Sequence, residues 1–236
     1  MNQEIVNSDS KVPQTTAMFA DVDMSDILLP KLLLMQGLSI LVSDERAKAG
    51  DIVDSLTGEV LGGKDKAVEI IPFYMTRSFV VSERMGEKFE FKGIVPCDST
   101  NAHWREKDHR EEKVNGVITR RDYSLDFYCL LANQPDSLPY QISFRRTSNR
   151  AGKQLNTQMM LGTALKRKPE SYHLGCKKTE NDMGVYYVFE ISKGKFLTPA
   201  QTEHVAKWTA LIKAGAVKVA EEGDVAVDKT HDVEKF

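Results

Sequence analysis

The stretch GEVLGGKDKAVEIIPFYMTRSFVV, Gly58 to Val81, decides between two kinds of protein. Gly58, Gly63 and Lys64 fit the phosphate-binding spacing G-x-x-x-x-G-K-[ST], but the eighth position is Asp65. In a P-loop a Ser or Thr hydroxyl at that position binds Mg²⁺, while backbone N–H groups at a helix start cradle the phosphates. Asp65 would set a carboxylate beside that charge. The residues that follow are rich in Val, Ile, Phe and Tyr, and Pro72 interrupts any helix, so the segment reads as a strand. The glycines therefore serve a loop between two extended segments.

Outward from this strand, the same signal recurs. KFEFKGIV alternates, with Phe89 and Phe91 on one face and Lys88, Glu90 and Lys92 on the other. DYSLDFYCLLA places Tyr123, Leu125, Phe127, Cys129 and Leu131 on one face, YQISFRRTS does so with Ile142 and Phe144, and GVYYVFEIS supplies a strand over Val185–Ile191. NAHWREKDHREEKVNGV reads as a long polar insertion and NQPDSLP as a turn-rich link. DILLPKLLLMQGLS, interrupted by Pro30, reads as a short segment docked on the core.

Two helices are expected. AGKQLNTQMMLGTALKRK is good helix material weakened by Gly162. In TPAQTEHVAKWTALIKAG, Thr198 is the N-cap, Pro199 takes the first helical position and Gln201 completes a capping box. Val205, Trp208, Leu211 and Ile212 line one face, which should cover one side of the sheet, and Gly215 can end the helix. The expected fold is mainly β with α additions, an OB-like antiparallel β-barrel with flanking helices. Its predicted boundaries are a flexible arm at 1–24, one domain at 25–219 and a disordered acidic tail at 220–236.

The 236 residues, 41% hydrophobic and 28% charged, suffice for a substantial core. No apolar run approaches the roughly 18 residues of a membrane span, and MNQEIVNSDSK lacks the parts of a signal peptide, which predicts a cytoplasmic location and no membrane partner. Cys97, Cys129 and Cys176, odd in number and widely spaced, fit reduced thiols. Cys97, His103, His109 and Cys129 form the richest metal-like group, but their spacing is looser than that of structural zinc ligands. A polar loop with solvated histidines explains them more simply. No nucleophile elbow, zinc-protease helix or dinucleotide fingerprint occurs, so the chain reads as a binder without cofactor or catalytic residues.

Charge points to the ligand. From Arg145 to Lys178 nine basic residues stand against Glu170 alone, whereas residues 221–236 hold six acids and two lysines. A basic middle with an acidic end is a signature of polyanion binders, although solvated surface charge gives the same pattern.

Three stretches, LPKLLLMQGLS, AKAGDIVDSLTGEVLG and VEIIPFYMTRSFV, resemble the opening of a group of bacteriophage and prophage proteins related to phage single-stranded DNA-binding proteins. PYQISFRRTSNRAGKQLNTQMM and GVYYVFEISKGKFLTPAQ are similar to that group's second half, so the resemblance spans roughly residues 28–200. It implies an OB-like fold, sequence-nonspecific binding to single-stranded DNA and a role in phage replication or recombination. It carries no residue-by-residue motif.

A binder of this kind needs a cationic groove and exposed aromatics that stack on bases at roughly 1–3 kcal/mol each. The basic candidates are Arg77, Arg145, Arg146, Arg150, Lys153, Lys166, Arg167 and Lys168. The aromatic candidates are Tyr74, Trp104 and Tyr140, although for any one of them core packing is the simpler explanation. The tail ends in Asp232, Glu234 and Phe236, a combination suited to docking on replication or recombination proteins. An annealing or recombination-mediator protein is the alternative, and a metal-dependent nuclease built on residues 97–129 is a third; a homodimer is compatible with each.

Overall fold

A computed structural model describes residues 28–134, 137–182, 184–214 and 218–219. The expected arm at 1–24, the helix stop at Gly215 and the tail at 220–236, with Asp232, Glu234 and Phe236, lie outside the described residues. The frame is a pair of long antiparallel strands, β5 (Val68–Met85) and β8 (Val117–Leu131), in register from Ile70↔Leu131 to Glu83↔Thr119. Along β5 the neighbours are β10 (Glu170–Asn181) at one end and β6 (Lys88–Pro96) at the other. Along β8 they are β9 (Tyr140–Arg145) and β7 (Glu111–Val114). With β11 (Gly184–Phe196) on β10, these seven strands form one sheet curled into a half-barrel. The architecture is mainly β with helical additions. Pro72, which has no N–H to give, sits at the register shift between Pro72 and Tyr74, where the ladder is already interrupted.

The docked segment forms β1 (Leu28–Leu29), β2 (Leu32–Leu34) and a one-turn α1 (Ile40–Ser43), with Leu29, Leu32 and Met35 buried as expected. β2 joins β3 (Ile52–Asp54) and β4 (Val60–Gly62) in a small sheet, and β1 pairs with β12 (Lys218–Val219). The near-P-loop glycines make two turns flanking β4, with Gly58 at φ +72. Asp54 organises the first turn: its Oδ1 accepts from the Leu56 and Thr57 N–H groups, at 2.7 and 3.0 Å.

Phe79, Phe127 and Phe144 are fully buried on the concave face, with Phe144 edge-on to Phe127 and Phe189 at 5.6 and 5.4 Å. Helix α2 (Asn149–Ala164) lies over this face, burying Ala151, Gly152 and Leu155. The outer strand β11 meets side-chain amides at its free edge. Gln36 Nε2 donates to the Tyr187 carbonyl at 3.0 Å, its Oε1 accepts from the Tyr187 N–H at 2.9 Å, and Gln154 Nε2 donates to the Ile191 carbonyl at 3.3 Å.

Two expectations need correction, and one strand was not read at all. The polar insertion is structured: Ala102–Lys107 is a 3₁₀ turn and β7 makes a tight hairpin with β8. Asn115 and Gly116 take φ +51 and +89, as an Asn-Gly hairpin turn requires. β10 was hidden by its lysines, yet its alternate residues Tyr172, Leu174 and Cys176 are buried. Helix α3 (Pro199–Lys213) has the expected capping box but buries no residue fully. It lies at the margin of β5, because α2 already covers the concave face.

Gly152 tests this packing. A Cβ there would stand 2.6 Å from Phe144 Cβ, an atom fixed to the strand backbone. Helix propensity favours alanine by about 1 kcal/mol, but overpacking costs about 1–3 kcal/mol. We expect Gly152→Ala to lower stability in urea unfolding; unchanged or raised stability would show that the α2–β9 contact yields freely.

Candidate nucleic-acid interface

The alternation of the central strands sorts the candidate residues onto two faces. Residues 75, 77 and 79 of β5 share the concave face with Tyr123 and Leu125 of β8, because Arg77 pairs with Leu125 and Phe79 with Tyr123. Above this floor stand two walls. One is α2, with Lys153 and Asn156; the other is the 3₁₀ turn Ala102–Lys107, with Arg105. Met75, Arg77, Arg105, Tyr123, Leu125, Lys153 and Asn156 together line a cleft of about 330 Å³.

The turn is anchored from several directions. Asp108 Oδ1 accepts from the Tyr123 N–H at 2.7 Å. Trp104 packs edge-on to Phe79 at 5.3 Å and beneath the Arg121 guanidinium at 4.3 Å. Glu112 accepts from Arg121 at 2.7 Å and binds Lys107. Arg105 is thereby held over the Tyr123 ring, 4.7 Å from its centroid. Burial pushes the Tyr123 hydroxyl above its ordinary pKa, opposed by the positive charges of Arg105 and Arg77.

No carboxylate lines the cleft, and among the described residues none forms an ion pair with Arg77, Arg105 or Lys153. Three cations from three separate elements thus face one small volume without a counter-charge.

Of the sequence-derived candidates, Arg77 and Lys153 meet here. The others are dispersed. Arg150 is exposed one turn before Lys153, while Lys166, Arg167 and Lys168 are exposed beyond the end of α2. Arg145 alternates with the buried Phe144 and so belongs to the opposite, convex face. Arg146, at φ +49, turns to the same side and donates from Nε and Nη2 to Asp122 Oδ2 at 2.9 and 2.8 Å. Tyr74, three residues from Arg77, is also on the convex face, tilted against Tyr128 at 5.8 Å.

The aromatic positions differ from the expected exposed ones. Tyr140 is buried, its hydroxyl donating to Asp54 Oδ2 at 2.9 Å, because the core requires that position of β9 to face inward. Trp104 is half-buried against Phe79. Arg105 was missed by sequence reasoning; its only signal was an arginine beside Trp104 in a segment read as insertion. The metal-like group is split, with Cys129 in the core and His109 bound to Asp122 at 2.7 Å. Among the described residues no cluster of three or more His, Cys, Asp or Glu side chains is placed to hold a metal.

Fold and cleft together define a half-barrel β protein with a cation-lined concave site, and its sequence is that of a bacteriophage protein. The chain belongs to the Pam3 phage gp34-like protein family, which it matches over residues 6–218. No match was found among curated proteins or among solved structures.

The convex face carries its own test. Burial raises the Asp122 pKa, but the charge and hydrogen bonds of Arg146, the His109 contact and Arg120 outweigh it, leaving the carboxyl below its ordinary 3.8. A folded-state pKa below the unfolded one adds stability that is complete above about 3.8 and fades as pH falls through the folded value. Asp122→Asn should therefore cost about 1–3 kcal/mol at pH 7, with the gap to wild type closing in acid. Urea unfolding across pH measures both; a constant gap would refute the electrostatic account.

Proposed function

We propose that the protein binds single-stranded DNA without sequence preference, with the strand's phosphates on Arg77, Arg105 and Lys153. The observation that carries this reading is the convergence of three cations that no carboxylate neutralises. Surface charge that merely confers solubility would be paired or scattered, as Arg84–Glu111 and Lys193–Glu170 are. An apolar floor of Met75, Leu125 and Tyr123 beneath the cations suits a strand whose bases are free to turn inward, which those of a duplex are not. Membership of a phage family agrees with a role in coating exposed strands during replication or recombination. The acidic end with Asp232, Glu234 and Phe236 then supplies the contact to replication proteins.

Fluorescence anisotropy with labelled oligothymidine over a salt series tests the reading. Affinity should fall steeply with salt, by about 0.7 in log–log slope per phosphate contacted on single strands. The triple variant Arg77→Ala, Arg105→Ala, Lys153→Ala should weaken binding and flatten that slope by at least about 0.7. Arg146→Ala, whose charge Asp122 already holds, should alter it little. Salt-independent binding, or a triple variant that behaves like wild type, would place the site elsewhere or remove it.

A further inference from the structure

We infer that the cleft seats a terminal phosphate monoester, so that the protein grips a strand more tightly by a phosphorylated end than by its interior. This rests on the proposed binding of single strands and narrows it to one chemical group.

The charge balance is the first ground. An internal phosphodiester carries one negative charge, whereas a monoester carries about −1.5 to −2 at pH 7 and presents three acceptor oxygens. Arg77, Arg105 and Lys153 bring three positive charges to one cleft, two of them as planar guanidinium forks that match phosphate geometry. A single diester would leave most of that charge unanswered, and no carboxylate in the lining makes up the difference.

Size and direction are the second ground. About 330 Å³ is at the lower end of ligand pockets, roughly 300–1,000 Å³, a compact site for a single small group. The cations reach this one cleft from three elements, the sheet floor, the 3₁₀ turn and α2. Among the other candidates, Arg146 is committed to Asp122 on the convex face, Lys166 to Lys168 lie beyond the far end of α2, and Arg150, exposed one turn before Lys153, stands outside the cleft lining.

A 5′-phosphate, a 3′-phosphate and a free nucleoside monophosphate share this chemistry. The test separates them by anisotropy with oligothymidines labelled at the opposite end. One set carries a 5′-hydroxyl, a 5′-phosphate or a 5′-methylphosphate, which has the size of the phosphate but one charge; a second set varies the 3′ end likewise. Thymidine 5′-monophosphate serves as competitor. At least one phosphorylated end should bind about tenfold more tightly than its hydroxyl and methylphosphate counterparts, and Lys153→Gln or Arg105→Gln should erase the difference. Competition by the mononucleotide without end preference would assign the site to free nucleotides and would count against strand binding instead. Equal affinity for all ends, with salt-dependent strand binding intact and no competition, would overturn the inference while leaving the proposed function standing.

Discussion

The register between β5 and β8 is the constraint on which the rest of the molecule depends. Side chains alternate across a strand, so a slip of one residue would exchange the two faces along the whole pairing. With Arg77 opposite Leu125, the concave face receives Phe79, Tyr123 and Phe127 as core together with Met75 and Arg77 as cleft floor. The same alternation sends Ser78, Asp122 and Asp126 to the convex face, where Ser78 Oγ donates to Asp126 Oδ2 at 2.6 Å. One slip would bury charge on one side and strip the core on the other. That penalty fixes the pairing more firmly than its hydrogen bonds alone could.

Basic residues adjacent in sequence meet different fates because the backbone separates them. Arg145 ends β9 and Arg146 follows it on the convex side, where His109 and Arg146 meet the nearly buried carboxylate of Asp122. Lys153, less than three turns of chain further on, is carried over the sheet by α2 to the opposite face. One basic segment thus contributes both to a structural ion cluster and to an open cationic cleft. What distinguishes them is whether a carboxylate is present to receive the charge.

The strands with clean alternation were legible in the sequence, as were the capping box at Thr198 and the turn role of Gly58 and Gly63. Periodicity reports a local property, and these features are local. β10 was not legible, because its lysines on the exposed face resemble solvated charge when the buried Tyr172, Leu174 and Cys176 are not known to meet β5 and β11. The Asn115-Gly116 hairpin could have been read, since that dipeptide between two extended runs is a strong turn signal. The cleft could not: it joins residues 77, 105 and 153 through strand pairing and helix placement, which no spacing in the chain encodes. Tyr140 likewise gave no sign that Asp54, far away in sequence, would receive its hydroxyl.

The amides along β11 bear on how the molecule behaves in a crowd. A strand at the margin of a sheet exposes a row of donors and acceptors to which a neighbouring chain can add, and addition repeated is fibril growth. Gln36 meets the Tyr187 peptide as a strand would, and Gln154 closes off Ile191, but neither presents a fresh edge behind it. On the same side of β5, β6 carries an irregularity beside Gly93 and the exposed charges Lys88 and Lys92, both of which discourage a flat partner. β9 is covered by the chain at Pro30, whose carbonyl accepts from the Gln141 N–H. Along β11, β6 and β9, copies brought together at high concentration thus find blunted borders instead of a template.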